Sequence, residues 1–131
     1  MLFILGINTG LKLTDLLSLN IKDVKDKDFI ELKDGIRFDL SEEVQSLIAE
    51  EIADKPIDAP LFESREKNRI DRTTVFVCFK NICNSLGLKG FSVNSWRKTF
   101  GYWYYEKYKD LYFLQWYFGH NSAKQTMDFI G

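Results

Sequence analysis

His120 is the only histidine in the chain. It sits in a Gly-His-Asn turn, nine residues ahead of Phe129 in a short amphipathic segment. An imidazole exchanges protons near neutral pH, so a lone one beside a turn is a natural candidate for chemistry. By itself it reads equally as a group at a helix C-terminus, where a positive ring suits the macrodipole. The most basic local stretch, "SREKNRIDR" over 64–72, gathers Arg65, Lys67, Arg69 and Arg72 and can touch a nucleic-acid backbone, although such a stretch is commonly a solvated loop. Lys12 and Lys33 taken alone are ordinary solvated lysines. Arg97 reads equally well as a structural arginine stacked on Trp96 or Trp103. Tyr102, Tyr104, Tyr105 and Tyr117 read as packing residues. Cys78 and Cys83 lie five apart with no second cysteine pair or neighbouring histidine, so zinc lacks ligands and both are expected to be buried thiols. No cofactor or metal is expected.

Composition bounds what these residues can belong to. A 45% hydrophobic and 15% aromatic content places the chain among folded globular proteins, and 131 residues suit one domain with a sizeable core. No apolar run reaches the length of a membrane span. "MLFILGI" is short and lacks a basic start, so it reads as a core segment rather than a signal peptide, and a cytoplasmic location is expected. Lys and Arg number 18 against 19 Asp and Glu; any affinity for nucleic acid therefore needs a local patch.

The elements that must position these residues follow from periodicity and capping. The chain begins inside a helix, with Leu2, Phe3, Ile4 and Leu5 buried, and Thr9-Gly10 breaks it. "LKLTDLLSLN" puts Leu13, Leu16, Leu17 and Leu19 on one face of a short helix. "DFIELKDGIRFDL" reads as a hairpin turning on Lys33-Asp34-Gly35. Ser41 opens a helix to about Ala53, Asp71 caps another that Gly87 ends, and Ser92 or Asn94 caps an aromatic-rich one reaching Lys107. A further helix stops at Gly119, and Ser122 caps the last, Ala123 to Ile130. The expected fold class is mainly α (α+β), one domain over 1–131 with a small antiparallel β-hairpin.

In that order the segments resemble the catalytic domain of tyrosine recombinases, the phage-integrase type. "TGLKLTDLLSL" resembles the family's first signature, with Lys12 where arginine is usual. The hairpin with Lys33 before its turn resembles the one that presents a lysine to the cleaved strand. "FSVNSWRKTFGYWYYEK" is similar to the second signature, His-x-x-Arg then a basic residue and Thr: Arg97, Lys98 and Thr99 fit, and Asn94 stands in place of histidine. "LQWYFGHNSAKQTMDFIG" resembles the third, a helix, Gly-His, then tyrosine nine residues on; His120 fits and Phe129 occupies the tyrosine's place.

The resemblance implies double-stranded DNA as the partner, with other recombinase protomers beside it and neither a membrane nor a small-molecule substrate. It implies metal-free attack of a tyrosine hydroxyl on a phosphodiester, two arginines holding the phosphoryl oxygens, a histidine exchanging a proton, and a lysine protonating the leaving oxygen. The implied site is Lys12, Lys33, Asn94, Arg97, His120 and Phe129, with Arg65, Arg72 and Lys98 as DNA contacts. It further implies that the helical DNA-clamping domain preceding this one in the family is lacking. Phe129 has no oxygen to attack with, and a lost nucleophile costs about six orders of magnitude in a serine protease. Lys12 offers a point charge in place of a planar fork, a further loss of roughly 10²–10³. Asn94 can donate a hydrogen bond but cannot shuttle a proton. A single Tyr→Phe change would suit an engineered trap, but three departures favour natural divergence. Two functions are compatible with this: a catalytically impaired integrase that still binds DNA, or a regulatory or protein-interaction module reusing the fold.

Overall fold

The computed structural model describes residues 1–131 except Lys33 and Val93. Helix α1 (Leu2–Thr9) starts directly after Met1 and stops at Gly10, whose φ of 65° is left-handed. Glycine is required there twice over, because a Cβ would also run into the Phe100 ring. Helix α2 (Leu13–Leu17) buries Leu13, Leu16 and Leu17, and Leu19 just beyond its end is buried too. An unanticipated 3₁₀ turn, Ile21–Asp23, follows, fixed by a reciprocal capping box between Asn20 and Asp23.

Strands β1 (Phe29–Glu31) and β2 (Arg37–Asp39) pair antiparallel with Ile30 opposite Phe38. The Leu32 amide donates to the Ile36 carbonyl at 2.8 Å, which closes the hairpin. Helices α3 (Glu42–Ile52) and α4 (Arg72–Ser85) take the expected caps: Ser41 Oγ accepts from the Val44 amide and Asp71 from the Thr74 amide. These bonds hold the fully exposed Asp71 carboxyl below its ordinary pKa. Helices α5 (Ser95–Tyr108), α6 (Leu111–Phe118) and α7 (Ala123–Ile130) complete the domain, with Asp110 capping α6 and Ser122 capping α7.

Three expectations are corrected. Of the two expected caps of α5, Asn94 makes no cap bond through its side chain and is itself in helical conformation; it is Ser92 whose Oγ accepts at the helix start, from the Asn94 amide at 3.3 Å. Cys83 is buried, but Cys78 is exposed, because α4 buries only Val75 and Cys83. Arg69 is not a loose basic residue: its guanidinium donates to the carbonyls of Leu17 and Leu19 and to Asn20 Oδ1, pinning the 61–70 loop to the end of α2.

The apolar interior divides in two. An aliphatic cluster centred on Leu5, Leu16, Ile21, Ile30 and Ile48 joins α1 to α4, with Trp96 as its one contribution from α5. An aromatic cluster of Phe100, Leu114, Phe118 and Ile130 joins α5, α6 and α7. The seam between them is polar: Trp96 Nε1 donates to the Leu11 carbonyl, Arg97 Nε to the Gly10 carbonyl, and the Tyr117 hydroxyl to the Thr9 carbonyl. Those three acceptors are consecutive carbonyls at and just beyond the end of α1, so the break at Gly10 is what ties the two halves together. Among the described residues no helix is long and apolar enough to cross a membrane.

Candidate active site

Phe118, the last residue of α6, is the hub of the site. The Arg97 guanidinium lies 4.9 Å from its ring centroid, the Phe129 ring 5.1 Å away, and the His120 ring 5.6 Å away. His120 and Phe129 also meet edge to face at 5.2 Å, and the Lys98 ammonium sits 5.6 Å over Phe129. Residues from α5, the α6–α7 turn and α7 thus converge around one aromatic face. The expected stacking of Arg97 on Trp96 or Trp103 is replaced by this contact.

Each member is held by local structure. Arg97 is half-buried on the first turn of α5, and its Nε donates 2.9 Å to the Gly10 carbonyl. Its two terminal nitrogens have no partner among the described residues, so the edge of the fork that matches a phosphoryl group in two parallel bonds is free. Burial lowers its pKa while the neighbouring Tyr117 and Asp15 push it back up, and a guanidinium remains charged. Gly119, at φ 72°, turns the chain after α6, and the His120 amide donates to the Gln115 carbonyl at 2.9 Å. The imidazole Nδ1 lies 2.9 Å from Thr126 Oγ1 on α7, and Nε2 has no partner among the described residues. Partial burial, and then the positive charge of Arg97, lower the His120 pKa and favour its neutral form.

Tyr117 is engaged within the fold. Its hydroxyl donates to the Thr9 carbonyl at 2.6 Å, and burial raises its pKa well beyond the ordinary phenol value despite the nearby Arg97. It packs, stacked on Phe113 at 5.4 Å.

The other expected site residues stand apart to different degrees. Lys12 is exposed immediately before α2, two residues from the carbonyl that Arg97 holds. It lines a cleft of about 600 Å³ together with Asp15, Asp23, Glu31, Asp34 and Trp116. Acids outnumber bases among the described residues of that cleft. Asn94 is exposed at the start of α5, and its side chain makes no hydrogen bond among the described residues. Lys33 lies outside the described residues. Arg65 is exposed, and Arg72 lies over Phe76 of its own helix at 5.1 Å; neither touches the group around Phe118. Thr126 escaped the sequence reading. A polar residue spaced i, i+4 from Ile130 on the buried stripe of α7 was the available signal.

The chain matches the phage integrase family model over residues 1–130. It is 33% identical over 136 residues to the probable integrase/recombinase YoeC of Bacillus subtilis (strain 168), an alignment covering 99% of this chain and 75% of that protein. The fold is that of the crystal structure of XerA recombinase, with a TM-score of 0.74 at 21% identity over 98% of this chain. The Tn1549 transposon integrase in complex with circular intermediate DNA is likewise similar, with a TM-score of 0.76 at 17% identity over 98% of this chain. The chain spans about half the length of both solved structures, 50% and 52%. Its helices and two-stranded hairpin are those of a tyrosine-recombinase catalytic domain, and the chain belongs to the phage integrase family.

Proposed function

We propose that this domain binds the backbone of double-stranded DNA at the Arg97–His120 face as part of integrase-type recombination, and that as it stands it does not form the covalent protein–DNA bond. The observation that carries this reading is the convergence on Phe118: a guanidinium edge and an imidazole nitrogen, both without a partner among the described residues, beside the ring of Phe129, which has no hydroxyl. Arg97 holds two phosphoryl oxygens through its terminal nitrogens, His120 offers Nε2, and Lys98 adds charge at the rim. Lys12 and Lys33 supply point charges, Asn94 a neutral donor, and Arg65 and Arg72 further contacts along the backbone. With no oxygen at Phe129 the phosphodiester is gripped but not attacked.

A gel-shift titration of crossover-type and random duplexes at two salt concentrations tests this. Weak, largely sequence-independent binding is expected, with log K falling steeply against log salt, by near one unit of slope per phosphate neutralised. Arg97→Ala should weaken binding to every duplex and flatten the slope by about 1. Absence of binding at low salt contradicts the proposal.

The second reading, a regulatory module that docks on a protein, has one observation in its favour. The cleft beside Lys12 carries Asp15, Asp23, Glu31 and Asp34, which would repel a phosphate backbone and suit a basic segment. The convergence of Arg97, His120 and Lys98 around Phe118 and Phe129 makes DNA binding the better supported function.

A further inference from the structure

Among the described residues the His120 ring meets a single polar partner, and that partner has one proton to give. Thr126 is completely buried on the inner face of α7, where a hydroxyl is costly unless it is hydrogen-bonded. Two acceptors lie within its reach. The Ser122 carbonyl one turn back is 3.4 Å away, longer than a good O–H···O bond, whereas Nδ1 of His120 is 2.9 Å away. The short contact is where the proton does most. We propose that Thr126 is the positioning residue of His120: its hydroxyl donates to Nδ1, holds the neutral ring with its proton on Nε2, and so presents an N–H donor to a phosphoryl oxygen.

Three features support this. Which nitrogen of a histidine carries the proton is set by the bond its other nitrogen makes. The ring packs against both Phe118 and Phe129, at 5.6 and 5.2 Å, so a bond at Nδ1 fixes its direction as well as its tautomer. Partial burial, and then the nearby charge of Arg97, disfavour the imidazolium, which leaves the neutral ring as the donating form. Ser122, which caps α7 through the Gln125 amide, places Thr126 one turn into the helix, so a cap and a tautomer are set by the same short segment. The step to phosphate rests on the DNA-binding reading above; the tautomer does not.

A single histidine makes the measurement unambiguous. The full chain, labelled with ¹⁵N-histidine, is examined by long-range ¹⁵N–¹H correlation without DNA, as the unmodified protein, Thr126→Ser and Thr126→Val. The unmodified protein and Thr126→Ser should show an unprotonated, hydrogen-bonded Nδ1 and a protonated Nε2. In Thr126→Val the Nδ1 resonance should move as its donor is lost. A protonated Nδ1 in the unmodified protein, or nitrogen shifts unmoved in Thr126→Val, overturns the proposal. Duplex affinity at low salt is then compared among Thr126→Val, His120→Gln and the double variant. Each single change should weaken binding roughly 5- to 10-fold, a size typical of the net loss of one hydrogen bond, and the double no more than His120→Gln alone. Multiplying losses would show Thr126 acting independently of the ring and contradict the proposal. If no variant binds DNA while the nitrogen shifts behave as expected, the positioning of His120 stands and the DNA-binding reading fails.

Discussion

The two apolar clusters are built from different side chains and tolerate polar groups differently. The aliphatic cluster, around Leu5, Leu16 and Ile30, buries no charged side chain among the described residues. The aromatic cluster, around Phe100 and Phe118, carries Arg97 and His120 against its rings. Aliphatic surfaces offer nothing to a partly desolvated cation, whereas the negative face of an aromatic ring does. A site for an anion can therefore be assembled at the edge of the second cluster without paired acids that would compete with the anion. Phe129 fits this pattern, since without its oxygen it becomes one more ring in the cluster.

The contrast is open to test, and the largest effect should fall on the seam. Trp96 is the one α5 residue in the aliphatic cluster, and Trp96→Ala should cost about 3–5 kcal/mol in urea unfolding. A loss below about 1 kcal/mol would mean that the clusters do not fold as a unit. Next comes Gly101→Ala on α5. Its Cβ would lie 2.6 Å from Ile130 Cγ2 and 3.0 Å from the Phe118 ring, so overpacking of about 1–3 kcal/mol outweighs the helix-propensity gain of about 0.5–1 kcal/mol. The same change should displace the rings around His120 and perturb its resonances. Smaller again, Tyr117→Phe removes the bond to the Thr9 carbonyl and should cost about 1 kcal/mol.

The smallest effect concerns pH. His120 has a folded pKa below 6.5, so the unfolded chain takes up the proton more readily. Its contribution is level above pH 6.5 and becomes destabilising as pH falls below that value, until the folded state protonates as well. The urea midpoint should therefore drop slightly between pH 7.5 and 5.5. In His120→Gln that part of the drop should vanish.

Much of this was legible in the sequence where the governing interaction is local. Ser41, Asp71 and Ser122 each cap the helix they precede, and Asp34-Gly35 turns the hairpin, because these bonds span three or four residues. What failed was long-range or a matter of facing. Nothing near Arg69 in sequence announces that it binds carbonyls some fifty residues away, and it reads as one more surface charge. Cys78 looked buried because α4 is rich in apolar residues, yet Phe76, Val77 and Ile82 on that helix are exposed with it. Asn94 looked like a cap because its residue type prefers that role, but its own helical backbone turns the side chain away from it. In the site, the spacing from His120 to Phe129 was readable, whereas Phe118 as the common surface was not. That role depends on α5 crossing α7, which no local pattern encodes.

The central claim is that the chemistry stops at Phe129 and that restoring an oxygen there is insufficient by itself. It is tested most directly with a nicked suicide duplex, scoring covalent protein–DNA adduct as a shifted band on a denaturing gel. The unmodified protein should give no adduct, Phe129→Tyr alone little or none, and Phe129→Tyr with Lys12→Arg and Asn94→His clearly more. A strong band from the unmodified protein would show that another residue attacks the phosphate, and robust activity from Phe129→Tyr alone would show that Lys12 and Asn94 are adapted to catalysis; either result contradicts the account.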